Sequence, residues 1–183
     1  MKSINITIIA FIVLIGSFAG LRSFYMSENQ VLKRHNLDGL TPMEMVDELE
    51  RRTIDPNQLI ASISADTLTL RFGDTVFQYD IPEEYFYLSV APYINHTHPC
   101  GTHNLTTCRA ELANETLYIV IIDENDNVLF DGEATALDNG FIGIWLPRGV
   151  QANITVTYNG LSATHDFSTY QTDYTCLTTM QLK

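Results

Sequence analysis

The chain has 183 residues, 22 acidic against 10 basic side chains, a formal net charge of −12 and 45% hydrophobic content. An acidic balance of this size argues against nucleic acid as a partner, because phosphate binding draws its affinity from Lys and Arg; it suits cations and basic proteins, or plain solubility. The length supports one good core, or one core with a small satellite unit, and no Pro, Gly or Gln tract marks disorder or a fibrous repeat.

The opening "MKSINITIIAFIVLIGSFAGLRS" places Lys2 before an apolar run from about Ile4 to Ala19, the pattern of a secretory signal. Small residues at Ser17 and Ala19 suit cleavage near Gly20, with residues 1–19 as the signal peptide; an uncleaved anchor is the alternative, although the run falls short of the roughly 20 residues that span a bilayer. Cleavage removes Lys2 and no acid, so the mature chain carries −13. The expected location is therefore periplasmic or otherwise extracytoplasmic. Stable membrane embedding is expected only if that segment is retained.

Residues 20–36 read as a polar tether. "GLTPMEMVDELERR" then carries a strong helix start, with Thr41 at the N-cap, Pro42 at N1 and Glu44 completing a capping box. Met45, Val46 and Leu49 form its apolar face, and Glu44, Asp47, Glu48, Glu50, Arg51 and Arg52 are expected in solvent. "DPNQLIASI" predicts a second short helix from Asp55 and Pro56, and "TLTLRFGDTVFQYDIP" predicts a hairpin about Gly73-Asp74. Residues 37–81 thus form a small α+β segment, without a catalytic constellation, suited to docking, a dimer contact or scaffolding.

From residue 82 onward the pattern is short strands at regular spacing: "EYFYLSVAPYI", "TLYIVIID", "NVLFDGEAT", "GFIGIWL", "QANITVTY" and "LSATHDF". Asp138-Asn139-Gly140, Pro147-Arg148-Gly149 and Asn159-Gly160 punctuate them, the last a hairpin dipeptide. The expected fold is α+β: a helix-plus-hairpin segment, then an antiparallel β-sandwich over 82–183. The order of elements resembles transthyretin-like modules, an analogy of fold that assigns no activity.

All three cysteines fall in this second part: Cys100 and Cys108 in "HPCGTHNLTTCRAE", and Cys176 near the end in "YTCLTTMQLK". The first two are expected in a loop, with "CRAEL" opening the next strand and a terminal strand pairing beside it, so that the sulfurs converge. One structural disulfide with a leftover thiol is the plainest reading for an exported chain. A chain of this length does not need such a staple, and His96, His98 and His103 crowd around Cys100. Soft thiolates select Cu(I), zinc or iron-sulfur clusters. A four-cysteine cluster lacks a ligand here. Zinc has three cysteines and a histidine available, but the spacing is wider than that of a zinc knuckle. Cu(I) accepts two or three thiolates, so the sequence leans to copper with zinc as competitor.

The motif C-x-x-H-N-L-x-T-C at Cys100 to Cys108, the following "RAEL", the upstream "SVAPY" and the terminal "TCLTTMQL" together resemble the CueP-type periplasmic copper-binding proteins. The helix-first segment from Leu37 to Ile63 shares that look. The resemblance implies that Cys100, Cys108 and Cys176 bind copper as Cu(I), assist in reducing Cu(II), and pass copper to client cuproenzymes, in a dimer joined through the N-terminal segment. His96 and His98 are additions to its pattern. Two thiols giving up electrons while a third keeps the ion would explain an odd thiol count. The oxidising pair stays open between Cys108 with Cys176 and Cys100 with Cys108. His103 is a further ligand, a base for a thiol, or a histidine bonded to loop backbone.

Met180 and His165 are expected to be structural, His165 far from the cluster, and Trp145 to be core. Asp123, Glu124 and Asp126 read as a solvated turn that lacks the glycine and terminal Glu of an EF-hand. The Asn-x-Thr triplets at Asn5, Asn95, Asn104, Asn114 and Asn153 carry no conclusion. Two readings from other classes compete with a copper carrier: a thiol-disulfide oxidoreductase, for which a C-x-x-C beside a βαβ unit is missing, and a stapled interaction module. Enzymatic turnover is not required by the preferred reading beyond stoichiometric reduction of Cu(II).

Overall fold

The computed structural model describes residues 26–183. The signal segment, its cleavage point and the Asn5 triplet lie outside them. Helix α1 (Glu28–Arg34) forms within the stretch read as a tether, with a Ser27/Gln30 capping box at its start and Val31 fully buried. Helix α2 (Pro42–Glu50) starts as expected: the Glu44 amide donates to Thr41 Oγ1 at 3.3 Å, and the Thr41 amide donates to the Glu44 carboxylate at 2.7 Å.

The second predicted helix does not form. Asp55 caps only a turn, its carboxylate accepting the Asn57 amide, and the chain then enters β1 (Ile60–Ile63). Ala61 and Ile63 face the core on alternate positions, and pairing with β2 (Thr67–Phe72) outweighs the local start signal. Strand β3 (Thr75–Asp80) follows the expected two-residue turn, in which Gly73 takes φ +57°. The two helices and this sheet enclose a first core of Val31, Leu37, Val46, Leu49, Leu59 and Leu68 among others.

The second part matches the predicted strands closely: β4 (Tyr85–Val90), β6 (Thr116–Asp123), β7 (Val128–Thr135), β8 (Ile142–Pro147), β9 (Gln151–Tyr158) and β10 (Leu161–Ser168). Between β4 and β6 lies β5 (His103–Asn104), and β11 (Cys176–Leu177) comes last. One sheet has the order β10-β9-β6-β7 and the other β11-β4-β8. Alternate residues of β4, β6, β8 and β9 meet between them, with Phe86, Ile119, Ile144 and Ile154 in the filling.

Two connections depart from the simple plan. Strand β11 lies parallel to β4, Cys176 opposite Ser89, instead of beside a Cys108 strand; residues 109–115 are turns and extended loop, and no strand resumes before Thr116. Strand β5 leaves the sandwich and joins the first sheet, His103 opposite Ile63, giving the order β3-β2-β1-β5. The loop that carries the cysteines is therefore pinned by the N-terminal segment.

Tyr87 seals this junction. It belongs to β4, yet its ring is buried in the first core, tilted against Trp145 at 4.7 Å. Trp145 is half-buried and donates its indole N–H to Asp47 of α2 at 2.9 Å. The Tyr87 hydroxyl occupies the space over Gly143, where an added Cβ would overlap it. Gly143→Ala is expected to destabilise the fold by ~2 kcal/mol through overpacking, read as a lower urea midpoint. Gly132→Ala, with open space above it, is the matched control and is expected to stay within ~0.5 kcal/mol of the parent.

Candidate metal centre

Local hydrogen bonding delivers the three cysteines from separate stretches. Asn104 Oδ1 accepts the amides of Thr106 and Thr107 at 3.1 and 2.9 Å, and the Cys108 amide donates to the Asn104 carbonyl at 3.1 Å. This single helical turn brings Cys108 Sγ back to 3.8 Å from Cys100 Sγ. From the other end of the chain, the Cys176 amide donates to the Gly101 carbonyl at 3.2 Å. Thr175 Oγ1 ties the pieces together, accepting the His103 amide at 3.0 Å and donating to the Ile63 carbonyl at 2.6 Å.

The sulfurs converge, though the bonded pair is neither of those the sequence left open. Cys100 and Cys176 form a disulfide, Cα to Cα 5.6 Å, and Cys108 is the free thiol. The bond from the Cys176 amide to the Gly101 carbonyl accounts for this choice, seating Cys176 beside Cys100 while β11 pairs with β4. Cys100 is also the shared member of two possible ligand groups, His98 with Cys100 and Cys108, and Cys100 with His103 and Cys176, each with donor atoms within 4.8 Å of one another.

His103 is fully buried, and its ring bonds no loop backbone. Nε2 lies 2.9 Å from both carboxylate oxygens of Glu50, the last residue of α2. Nδ1 points at the sulfurs, 3.6 Å from Cys176 Sγ. Glu50, expected in solvent, is 3% exposed; it also accepts the Asn139 side-chain amide at 2.5 Å. Phe141, whose amide Asn139 Oδ1 holds at 2.9 Å, packs its ring against His103 at 4.6 Å. Ala91, Phe141 and Ala110 complete an apolar wall around the sulfurs.

The electrostatics follow from this packing. Burial opposes a charge on His103, but hydrogen bonds to Cys108 and Glu50 and the Glu50 carboxylate outweigh it and push the ring up to about 9. Burial likewise opposes a thiolate at Cys108, yet the His103 hydrogen bond and the Asn104 backbone bring it below the ordinary thiol range. Burial, with Glu50 and Asp47 nearby, holds the Tyr87 phenol well above its usual value. With Cys176 tied up in the disulfide, Cys108 is the sulfur that gains from the imidazolium.

The remaining candidates divide clearly. Met180 is core, 2% exposed. His165 is closer than expected: it lines a cleft of about 320 Å³ with Cys100, Tyr174 and Cys176, although it joins neither ligand group. His96 is exposed and its amide, with those of Ile94 and Asn95, is held by Glu111; desolvation raises the Glu111 carboxyl, but these bonds together outweigh it and bring the group down to about 2. Asp123 organises the β6–β7 turn by accepting the amides of Asn125 and Asn127. Glu50, Asn139 and Phe141 are the residues of the centre that the sequence did not single out.

These shifts generate a test. In the disulfide form the alkylation rate of Cys108 is expected to fall as pH drops through a midpoint below that of an ordinary cysteine thiol. His103→Gln removes the cation, so the midpoint is expected to move up; an unchanged midpoint would remove His103 as the cause.

Comparisons with known proteins agree on one family. The model of the family described as "Periplasmic copper-binding protein CueP" matches residues 44–181. The solved structure titled "Crystal Structure of S.CueP" superposes with a TM-score of 0.80 at 34% identity, covering 87% of this chain and 100% of that one. A search of curated proteins finds no match. A family match over residues 44–181, with a fold shared along the whole solved relative, leads to one conclusion: this chain belongs to the CueP family of periplasmic copper-binding proteins.

Proposed function

We propose that the reduced centre holds one Cu(I) on the thiolates of Cys100, Cys108 and Cys176, and that the same thiols reduce Cu(II). The observation that carries this reading is the gathering of three sulfurs about one buried imidazole whose far nitrogen is fixed by a carboxylate. Thiolates are the soft donors Cu(I) prefers. A histidine oriented through its second nitrogen by a carboxylate is the usual support of a metal site, and here it presents Nδ1 to the sulfurs. An apolar wall limits water and strengthens every charge interaction inside.

The redox balance is simple. Oxidising Cys100 and Cys176 to the disulfide releases two electrons and two thiol protons; the electrons reduce two Cu(II) to two Cu(I), which leave the oxidised centre, the protons pass to water, and an external dithiol reopens the disulfide before the three-thiolate site holds Cu(I) again. Cys108 stays a thiolate and keeps a soft donor at the centre. Export through the N-terminal signal, delivery to a client cuproenzyme for copper tolerance, and pairing of two copies through residues 37–81 extend the same reading. Among the described residues no helix is long and apolar enough to cross a membrane.

Titration of the reduced chain from residue 20 onward with Cu(I) against a competing chelator, and with zinc in parallel, tests the reading. One tightly held Cu(I) per chain, lost on thiol alkylation, is expected. Replacing any one cysteine by serine is expected to weaken binding by orders of magnitude. Parent-like affinity in two of the three variants would sink the three-thiolate site, and tight zinc with weak copper would make the centre structural.

A further inference from the structure

The two ligand groups that share Cys100 differ in access. Cys176 and His103 are buried, 6% and 0% exposed, whereas His98, Cys100 and Cys108 are all half-buried. A shallow opening lined by His98, Thr107, Cys108 and Arg109 leads to the second group. Arg109 is the cation on that rim, and its guanidinium is turned to the Cys108 carbonyl at 2.6 Å. Phe141 neighbours both imidazoles, tilted against His103 at 4.6 Å and edge-on to His98 at 6.2 Å. The two groups therefore share one buried aromatic neighbour and meet at the sulfur of Cys100.

Resting on the Cu(I) reading above, we propose that His98, Cys100 and Cys108 form a second, outer copper position through which the ion enters and leaves. Passage between the two positions needs one ligand exchange. The ion trades Cys176, on the buried β11, for His98 at the rim, while Cys100 and Cys108 stay bound. No thiol is oxidised in this step. Such a stop solves a physical problem: an ion leaves a three-coordinate site fastest when an incoming ligand binds before the outgoing one departs, and the half-buried His98, Cys100 and Cys108 are easier to approach from solvent than the buried Cys176. Imidazole is less soft than thiolate, so the outer position holds Cu(I) more weakly and suits transfer better than storage.

A stepping stone has a kinetic signature. Because it lies on the path in both directions, its loss slows uptake and release by the same factor and leaves affinity unchanged. Stopped-flow uptake of Cu(I) by the reduced chain, and its loss to bathocuproine disulfonate, are compared for the parent, His98→Ala, His98→Asn and the exposed neighbour His96→Ala. Both His98 variants are expected to slow both rates by about tenfold, the scale of losing one supporting ligand, with the dissociation constant and urea midpoint unmoved; His96→Ala behaves as the parent. Unchanged rates would overturn the proposal. Faster release with weaker binding would also overturn it, making His98 a fixed ligand of the resting site. A parent that holds no Cu(I) would bring down the copper reading itself, and this one with it.

Discussion

A carboxylate and an imidazole buried together, Glu50 and His103, form the contact on which the rest of the centre depends. Placing two ionisable groups out of water costs several kcal/mol each, and their attraction offsets this only where the remaining donors and acceptors are satisfied. Here they are: both carboxylate oxygens face Nε2, Asn139 donates to one of them, and Tyr87 lies alongside. Removing one partner of such a pair costs roughly 3 to 5 kcal/mol, whereas an apolar pair of the same volume is often as stable as the intact one. Stability alone therefore does not account for the pair. Its effect on the sulfurs does.

That effect is local, and the local term wins. A chain of net charge −12 resists the formation of further thiolates, but exposed acids beyond a Debye length of about 8 Å are largely screened. His103 Nδ1 sits 3.6 Å from a sulfur in a dry wall, where a unit charge acts at far lower effective dielectric. A ring pushed up to about 9 keeps its proton at neutral pH, so it can donate a hydrogen bond to the Cys108 thiolate. Of the possibilities the sequence leaves for His103, a ring bonded to loop backbone is the one the geometry does not show, since the ring faces Glu50 at one nitrogen and sulfur at the other.

Much of the fold was legible because its signals are local. The Thr41/Glu44 box, the Gly73-Asp74 hairpin and the period-2 strands from β6 to β10 are each read within a window of about ten residues. What was missed depends on distant partners. Asp55-Pro56 opens a helix by its own chemistry, but β2 claims the following residues for a sheet. Glu50 was assigned to solvent as an acid, although it stands four residues after Val46 and next to Leu49, on the buried face of α2. That position was the available signal; what licenses a carboxylate there is a histidine 53 residues away. Asn139 likewise passed for turn punctuation because its side-chain partner lies 89 residues back. The disulfide choice was hidden for the same reason, since it follows from the bond of the Cys176 amide to the Gly101 carbonyl, which no spacing rule encodes.

The N-terminal segment consequently cannot be treated as a detachable accessory. It supplies Glu50 from α2 and the edge of β1 on which β5 is laid, so the imidazole is fixed at one nitrogen by a side chain and along its backbone by a sheet, both from residues before 64. The sandwich supplies Cys176 through β11 and Phe141 through the turn before β8. Both anchors of the imidazole, Glu50 and the β1 edge, are independent of the Cys100–Cys176 bond. The carboxylate, the imidazole and the three sulfurs are thus gathered from both halves of the chain.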